Sequence, residues 1–134
     1  MSNTKEELII YRLNRAKESF AMATIAASKQ YWNSAASELY YACYYCVIPL
    51  FAKNDIKTST HSGVRTILSL NFIKEEKLDA RWGKFLSKLF DLRQDSDYGD
   101  FIIIKEEEIS PLIDDAEEFM KIIEDMITNH HEEK

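Results

Sequence analysis

Asn33-Ser-Ala-Ala-Ser-Glu-Leu-Tyr-Tyr-Ala-Cys-Tyr-Tyr-Cys-Val-Ile-Pro-Leu-Phe-Ala-Lys53 is the stretch whose reading decides the fold. From Leu39 to Ala52 it carries no charge, yet it is shorter than the ~20 apolar residues that cross a bilayer. It also holds four tyrosines and a proline. A segment apolar on nearly every face belongs at the centre of a helical bundle or between two subunits. The reading is a helix over about residues 34–53. Asn33 is its expected N-cap, because an Asn side chain accepts readily from first-turn amides. Pro49 lacks an N–H and its ring crowds the Tyr45 carbonyl, so a kink is expected near the helix end.

Amphipathic segments on either side supply the cover. Thr4-Lys-Glu-Glu7 is a capping box, and Ile9, Leu13, Ala16, Phe20, Ala23 and Ala27 repeat behind it at helical spacing. That predicts a first helix over about residues 5–30. Downstream, Thr60 or Ser59 caps a short helix carrying Val64, Ile67 and Leu68. Asp79 caps a fourth, with Trp82, Phe85, Leu86, Leu89 and Phe90 on its core side. Gly99 breaks that pattern, and Phe101-Ile-Ile-Ile104 reads as an extended connector or one short strand. Ser110-Pro111 reads as N-cap and first residue of the last helix, whose core face is Leu112, Ile113, Ala116, Phe119, Ile123 and Met126.

With 3 Gly and 2 Pro in 134 residues there is little material for tight hairpins, which favours helices over a sandwich or barrel. No repeat or linker divides the chain. The expected fold class is all-α: one domain over 1–134, an antiparallel bundle of four main helices plus a short one. A frayed tail, including His130 and His131, is expected from about residue 129. The acidic N-terminus has no apolar core of a secretion signal, so a cytoplasmic location is expected, with no membrane segment.

Cys43 and Cys46 make a C-x-x-C spacing, but inside a helix among Tyr40, Tyr41, Tyr44 and Tyr45 they read as small packing residues rather than a redox pair. No metal site or cofactor is expected from so few scattered ligands. The net charge of −6 argues against bulk nucleic-acid affinity, and no DNA partner is expected. The charge is uneven, however: residues 1–104 carry 14 basic and 12 acidic side chains, residues 105–134 carry 3 and 11. The body can therefore present a local basic patch. Lys77, Arg81, Lys84 and Lys88 form one basic stripe, read first as a solvated face.

Arg93 continues the apolar side of the fourth helix, where an unpaired guanidinium would cost several kcal/mol. It is either paired with Asp97 one turn on or is an anion-recognition residue facing a groove. His61, at a predicted helix start, reads as a neutral cap or, less simply, as a base; no nucleophile is placed beside it by any motif.

Taken together, Ser34-Ala-Ala-Ser-Glu-Leu-Tyr-Tyr-Ala-Cys-Tyr-Tyr45, His61-Ser-Gly63, Leu92-Arg-Gln-Asp-Ser-Asp-Tyr98 and Ala116-Glu-Glu-Phe119 resemble the HEPN domain family. The closer likeness is to its small stand-alone prokaryotic branch, related to the C-terminal HEPN domain of sacsin, over roughly residues 8–127. The resemblance implies a bundle that forms a homodimer and a role in nucleotide or RNA biology. It further implies pairing with a minimal nucleotidyltransferase as antitoxin, or metal-independent ribonuclease activity. Nuclease members carry a His four to six residues after the Arg, both subunits contributing to one cleft. Here Tyr98 stands five after Arg93, and tyrosine, with a pKa near ~10, is a poor general base. The first expectation is thus an interaction or nucleotide/RNA-binding module in a toxin–antitoxin-like pair, with Tyr41, His61 and Arg93 as binding residues. The alternative is an endoribonuclease using Arg93 with Asp97, Tyr98 or His61, and the third is a purely structural bundle.

Overall fold

The computed structural model describes residues 4–58 and 60–128. Five α-helices follow one another: α1 (Lys5–Ser28), α2 (Trp32–Lys53), α3 (His61–Leu68), α4 (Arg81–Tyr98) and α5 (Glu106–Thr128). A π-helical turn, Ser69–Ile73, extends α3 and was not legible in the sequence. The all-α class stands, and Phe101–Ile104 is a connector rather than a strand. The expected tail from about residue 129, and Ser59 as an alternative cap, lie outside the described residues.

The helix starts follow from local chemistry, with three corrections. Thr4 closes its capping box: Glu7 N–H donates to Thr4 Oγ1 at 3.0 Å and Thr4 N–H to Glu7 Oε1 at 2.8 Å. Thr60 Oγ1 accepts from Gly63 N–H at 2.9 Å. Asp79 Oδ1 accepts from Arg81 N–H at 2.8 Å, but from one position before the N-cap of α4, which is Ala80. Asn33, in contrast, does not cap α2, which begins one residue earlier at Trp32. Its amide is drawn away to the connector, donating to Ile102 O and accepting from Ile104 N–H. Nor do Ser110 and Pro111 open α5. The helix starts at Glu106, where Glu106, Glu107 and Glu108 favour the positive end of the dipole and Glu108 reaches back to Lys105 N–H. Pro111 then lies inside the helix, at the cost of one bond to the Glu107 carbonyl.

α2 is the centre of the bundle, packed against α1, α4 and α5. Lys5 at the start of α1 pairs with Asp55 beyond the end of α2, so these helices are antiparallel. Tyr41 and Arg93 meet across α2 and α4 in the same sense, whereas Asn33 and Lys53 both reach the matching ends of α5, which runs parallel to α2. Val47, Leu68, Leu86, Leu89, Phe119 and Ile123 are buried as expected; Phe20 and Tyr41 are half-buried. Trp82, Phe85 and Phe119 form an aromatic knot with centroids 5.5–5.8 Å apart, and Phe51 stacks on Phe72 of the π turn. Cys43 and Cys46 are free and fully buried, and burial pushes both thiols up, away from the reactive thiolate.

The surplus apolar circumference of α2, which suggested a subunit interface, is covered largely by its own chain. What remains half-open is the strip Tyr41, Tyr44, Tyr45 and Ile48, between the flanks of α1 and α4.

Candidate functional site

Arg93 is 8% exposed, and its surroundings are built to hold a charge. Nη2 donates to the Tyr41 hydroxyl at 2.8 Å and, more weakly, to the Tyr98 hydroxyl at 3.4 Å. Nε lies 3.2 Å from Asp97 Oδ2, although its N–H is not aligned into a hydrogen bond. The rings of Tyr40, Tyr41 and Tyr98 stand 5.3–5.7 Å from the guanidinium carbon. Burial opposes the charge, but the Tyr41 hydrogen bond and the neighbouring Tyr41, Tyr98 and Asp97 outweigh it and raise the Arg93 pKa. Arg93 is thus paired with Asp97, as one expectation had it, and it also borders a groove.

That groove, an open concavity of about 550 Å³, is lined by Thr60, His61, Ser62, Phe90, Arg93, Gln94 and Tyr98. Asp97, held by Ser37 Oγ at 3.1 Å, stands behind the guanidinium rather than on this lining. The structure thus places Tyr41, Asp97 and Tyr98 around the Arg93 guanidinium and His61 on the same groove lining.

His61 does not cap α3; Thr60 does. Its ring instead packs 4.4 Å from that of Tyr44, and Nδ1 lies 2.6 Å from the Tyr40 hydroxyl. Tyr40 is buried, its phenol pushed to a higher pKa chiefly by that burial, and its hydroxyl has no other acceptor among the described residues. A Tyr40 hydroxyl that donates to Nδ1 goes with the neutral tautomer carrying its proton on Nε2. Partial burial, and then the Arg93 charge, lower the His61 pKa and keep the ring neutral. The local fold depends on Gly63: a Cβ there would stand 2.7 Å from Thr60 Oγ1 and collide with Thr58, breaking the cap that sets His61.

Sequence reasoning missed Ser37, Tyr40 and Phe90. The signal for the first two was available, since Ser37, Tyr41 and Tyr45, like Tyr40 and Tyr44, repeat at one helical turn. Elsewhere, Arg81 of the basic stripe is engaged by Asp115 and Glu118 of α5 and lies 4.0 Å from the Trp82 ring, so the stripe is partly a tie between helices. Among the described residues no three His, Cys, Asp or Glu side chains gather as a metal would require, and no helix is long and apolar enough to cross a membrane.

The fold is thus an all-helical bundle with a buried arginine set among tyrosines, beside a histidine at the edge of an open groove. The chain belongs to the HEPN domain family, whose model matches residues 10–126. It is 34% identical to a Thermotoga maritima protein named UPF0332, over 93% of this chain and 95% of that one. It is also 30% identical to a candidate toxin of Methanocaldococcus jannaschii, over 75% of this chain and 69% of the relative. A second candidate toxin of the same organism is 27% identical over 62% of each chain.

Proposed function

We propose that this protein is the HEPN component of a toxin–antitoxin-like pair, a homodimeric module that binds a nucleotide or RNA phosphate at Arg93, with a minimal nucleotidyltransferase as partner protein. The observation that carries the reading is the placement of Arg93: a permanent charge, oriented by Tyr41 and Asp97, at the edge of a groove. A planar fork of this kind grips two phosphate oxygens at once and stays charged when partly dried. His61 offers an Nε2–H donor and Tyr98 a hydroxyl to the same ligand. The names of the Methanocaldococcus relatives support the toxin part of the reading.

The groove supplies donors, and the Nδ1 of its one imidazole, His61, is engaged by Tyr40, which favours binding over cleavage. Arg93→Lys keeps the charge and loses the fork, so calorimetric titration with a mononucleotide should show roughly tenfold weaker binding, with little change in melting temperature. Unchanged binding together with a lower melting temperature would make Arg93 a structural residue only. Arg93-dependent cleavage of added RNA would replace the binding reading by an endoribonuclease. Light scattering at high micromolar concentration should give the mass of two chains; a monomer would remove the dimer.

A further inference from the structure

A second cationic concavity lies on the other flank of the half-open strip of α2. It is lined by Tyr11, Arg12 and Arg15 of α1 and by Tyr45 of α2. The Arg15 guanidinium carbon is 6.0 Å from the Tyr45 ring, Tyr45 stacks on Tyr41 at 5.7 Å and 29°, and Tyr41 accepts from Arg93. Two rings, Tyr41 and Tyr45, therefore bridge two charges, from Arg93 across α2 to Arg15. Tyr11 is more than half exposed, and Arg15 has one loose partner, Glu18, at 3.7 Å. No salt bridge engages Arg12 among the described residues.

We infer that Arg12 and Arg15 form a second phosphate subsite, and that a single-stranded RNA crosses the tyrosine strip of α2 from there to Arg93. The inference rests on the reading of Arg93 as an anion site and extends it from one phosphate to a strand of several nucleotides. Single strands are held in this way, by a positive track for the backbone and aromatic faces on which bases stack without regard to sequence. A duplex finds no such use for exposed rings in a shallow groove. A second copy of the chain is the competing occupant of the strip, but it would have to bring acidic groups to three arginines, whereas a phosphate backbone brings them in any register.

The test uses the full chain with two probes, a fluorescent oligouridylate of about eight nucleotides and UMP. Arg12→Gln/Arg15→Gln should weaken the oligonucleotide about tenfold, reduce the salt slope by roughly 0.7 for each phosphate that is no longer neutralised, and leave UMP binding unchanged. Tyr11→Ala, a change of an exposed side chain, should also weaken the oligonucleotide severalfold by removing a stacking face. Circular dichroism and melting confirm that each variant is folded. Oligonucleotide binding equal to wild type in both variants overturns the second subsite while leaving the Arg93 site intact, as does a wild type that holds UMP and the oligonucleotide equally well. A wild type that binds neither probe overturns the Arg93 reading itself. Loss of the dimer mass in the double variant assigns the strip to a second copy and overturns the RNA track.

Discussion

The Tyr40 hydroxyl lies 2.6 Å from His61 Nδ1, and this contact ties a buried phenol of α2 to the first residue of α3. It makes the neutral imidazole part of the fold, so stability depends on pH in a determined direction. Burial and then the Arg93 charge lower the His61 pKa in the folded chain, so between the folded value and the ordinary ~6.5 the unfolded chain binds more protons. Stability is therefore fully present above ~6.5 and is lost as pH falls through the folded pKa. Melting temperatures measured from mildly alkaline to mildly acidic pH should fall on the acid side, and His61→Gln should flatten that fall. An equal slope in the variant would assign it to other groups.

Tyr40→Phe separates the hydrogen bond from the packing. Without the donor, the neutral form of His61 loses a stabilising partner, and its pKa should rise relative to wild type in an NMR titration of the imidazole protons. The cost to stability should be about 0.5–1.5 kcal/mol, the usual net worth of one hydrogen bond. A His61 pKa unmoved by the change would mean that burial and Arg93 alone set it.

The bundle was legible because its signals are local. Thr4 and Thr60 cap the helices that their sequences announce, Asp79 stands one residue ahead of the N-cap of α4 yet accepts from its first amide, and apolar residues at helical spacing become the core. The misreadings share a cause, which is that a side chain suited to one local role was taken by a distant partner. Asn33 has the chemistry of a cap but serves residues 102–104, 69 to 71 positions away. Ser110-Pro111 has the form of a start, but three glutamates upstream extend the helix past it. At the site, spacing brought out Arg93 and Asp97 because they share a helix. That Tyr40 donates to His61, or that Arg12 and Arg15 flank the tyrosine strip, depends on packing between helices, which no spacing within one segment reveals.

Asp97 pairs with Arg93 from behind the groove lining, so its negative charge competes with an incoming phosphate for the guanidinium. Asp97→Asn removes that competition and should tighten binding of a mononucleotide or sulfate severalfold. The pair is one turn apart and partly exposed, so the loss of stability should be no more than about 1 kcal/mol. Weaker binding in the variant would show that Asp97 is needed to orient the guanidinium rather than to hold it in waiting.

Asn33 is the only side chain among the described residues that hydrogen-bonds residues 102–104, through Ile102 O at 3.1 Å and Ile104 N–H at 2.9 Å. Asn33→Ala should cost about 1–3 kcal/mol, since the Ile104 amide is left buried without its acceptor. Hydrogen exchange at Ile104 should accelerate well before exchange in α2 does. Retained protection there would mean that another group replaces the Asn.

Phe101 stands fully in solvent, with a relative exposure of 102%, and its φ is +65°. Both features work against the folded chain. A non-glycine residue at positive φ costs roughly 1 kcal/mol, and an exposed ring recovers nothing from burial. The conformation is imposed from both sides, by Gly99 N–H bonded to Asp95 O before it and by the Asn33 clamp after it. Glycine accepts this φ freely, against an entropic penalty in the unfolded chain of about 0.5–1 kcal/mol. Phe101→Gly should therefore leave the melting temperature unchanged or raise it by a few degrees when measured on dilute protein. A fall of equal size at every concentration would mean that the ring packs within its own chain. A fall confined to high concentration would place Phe101 in the contact between two copies.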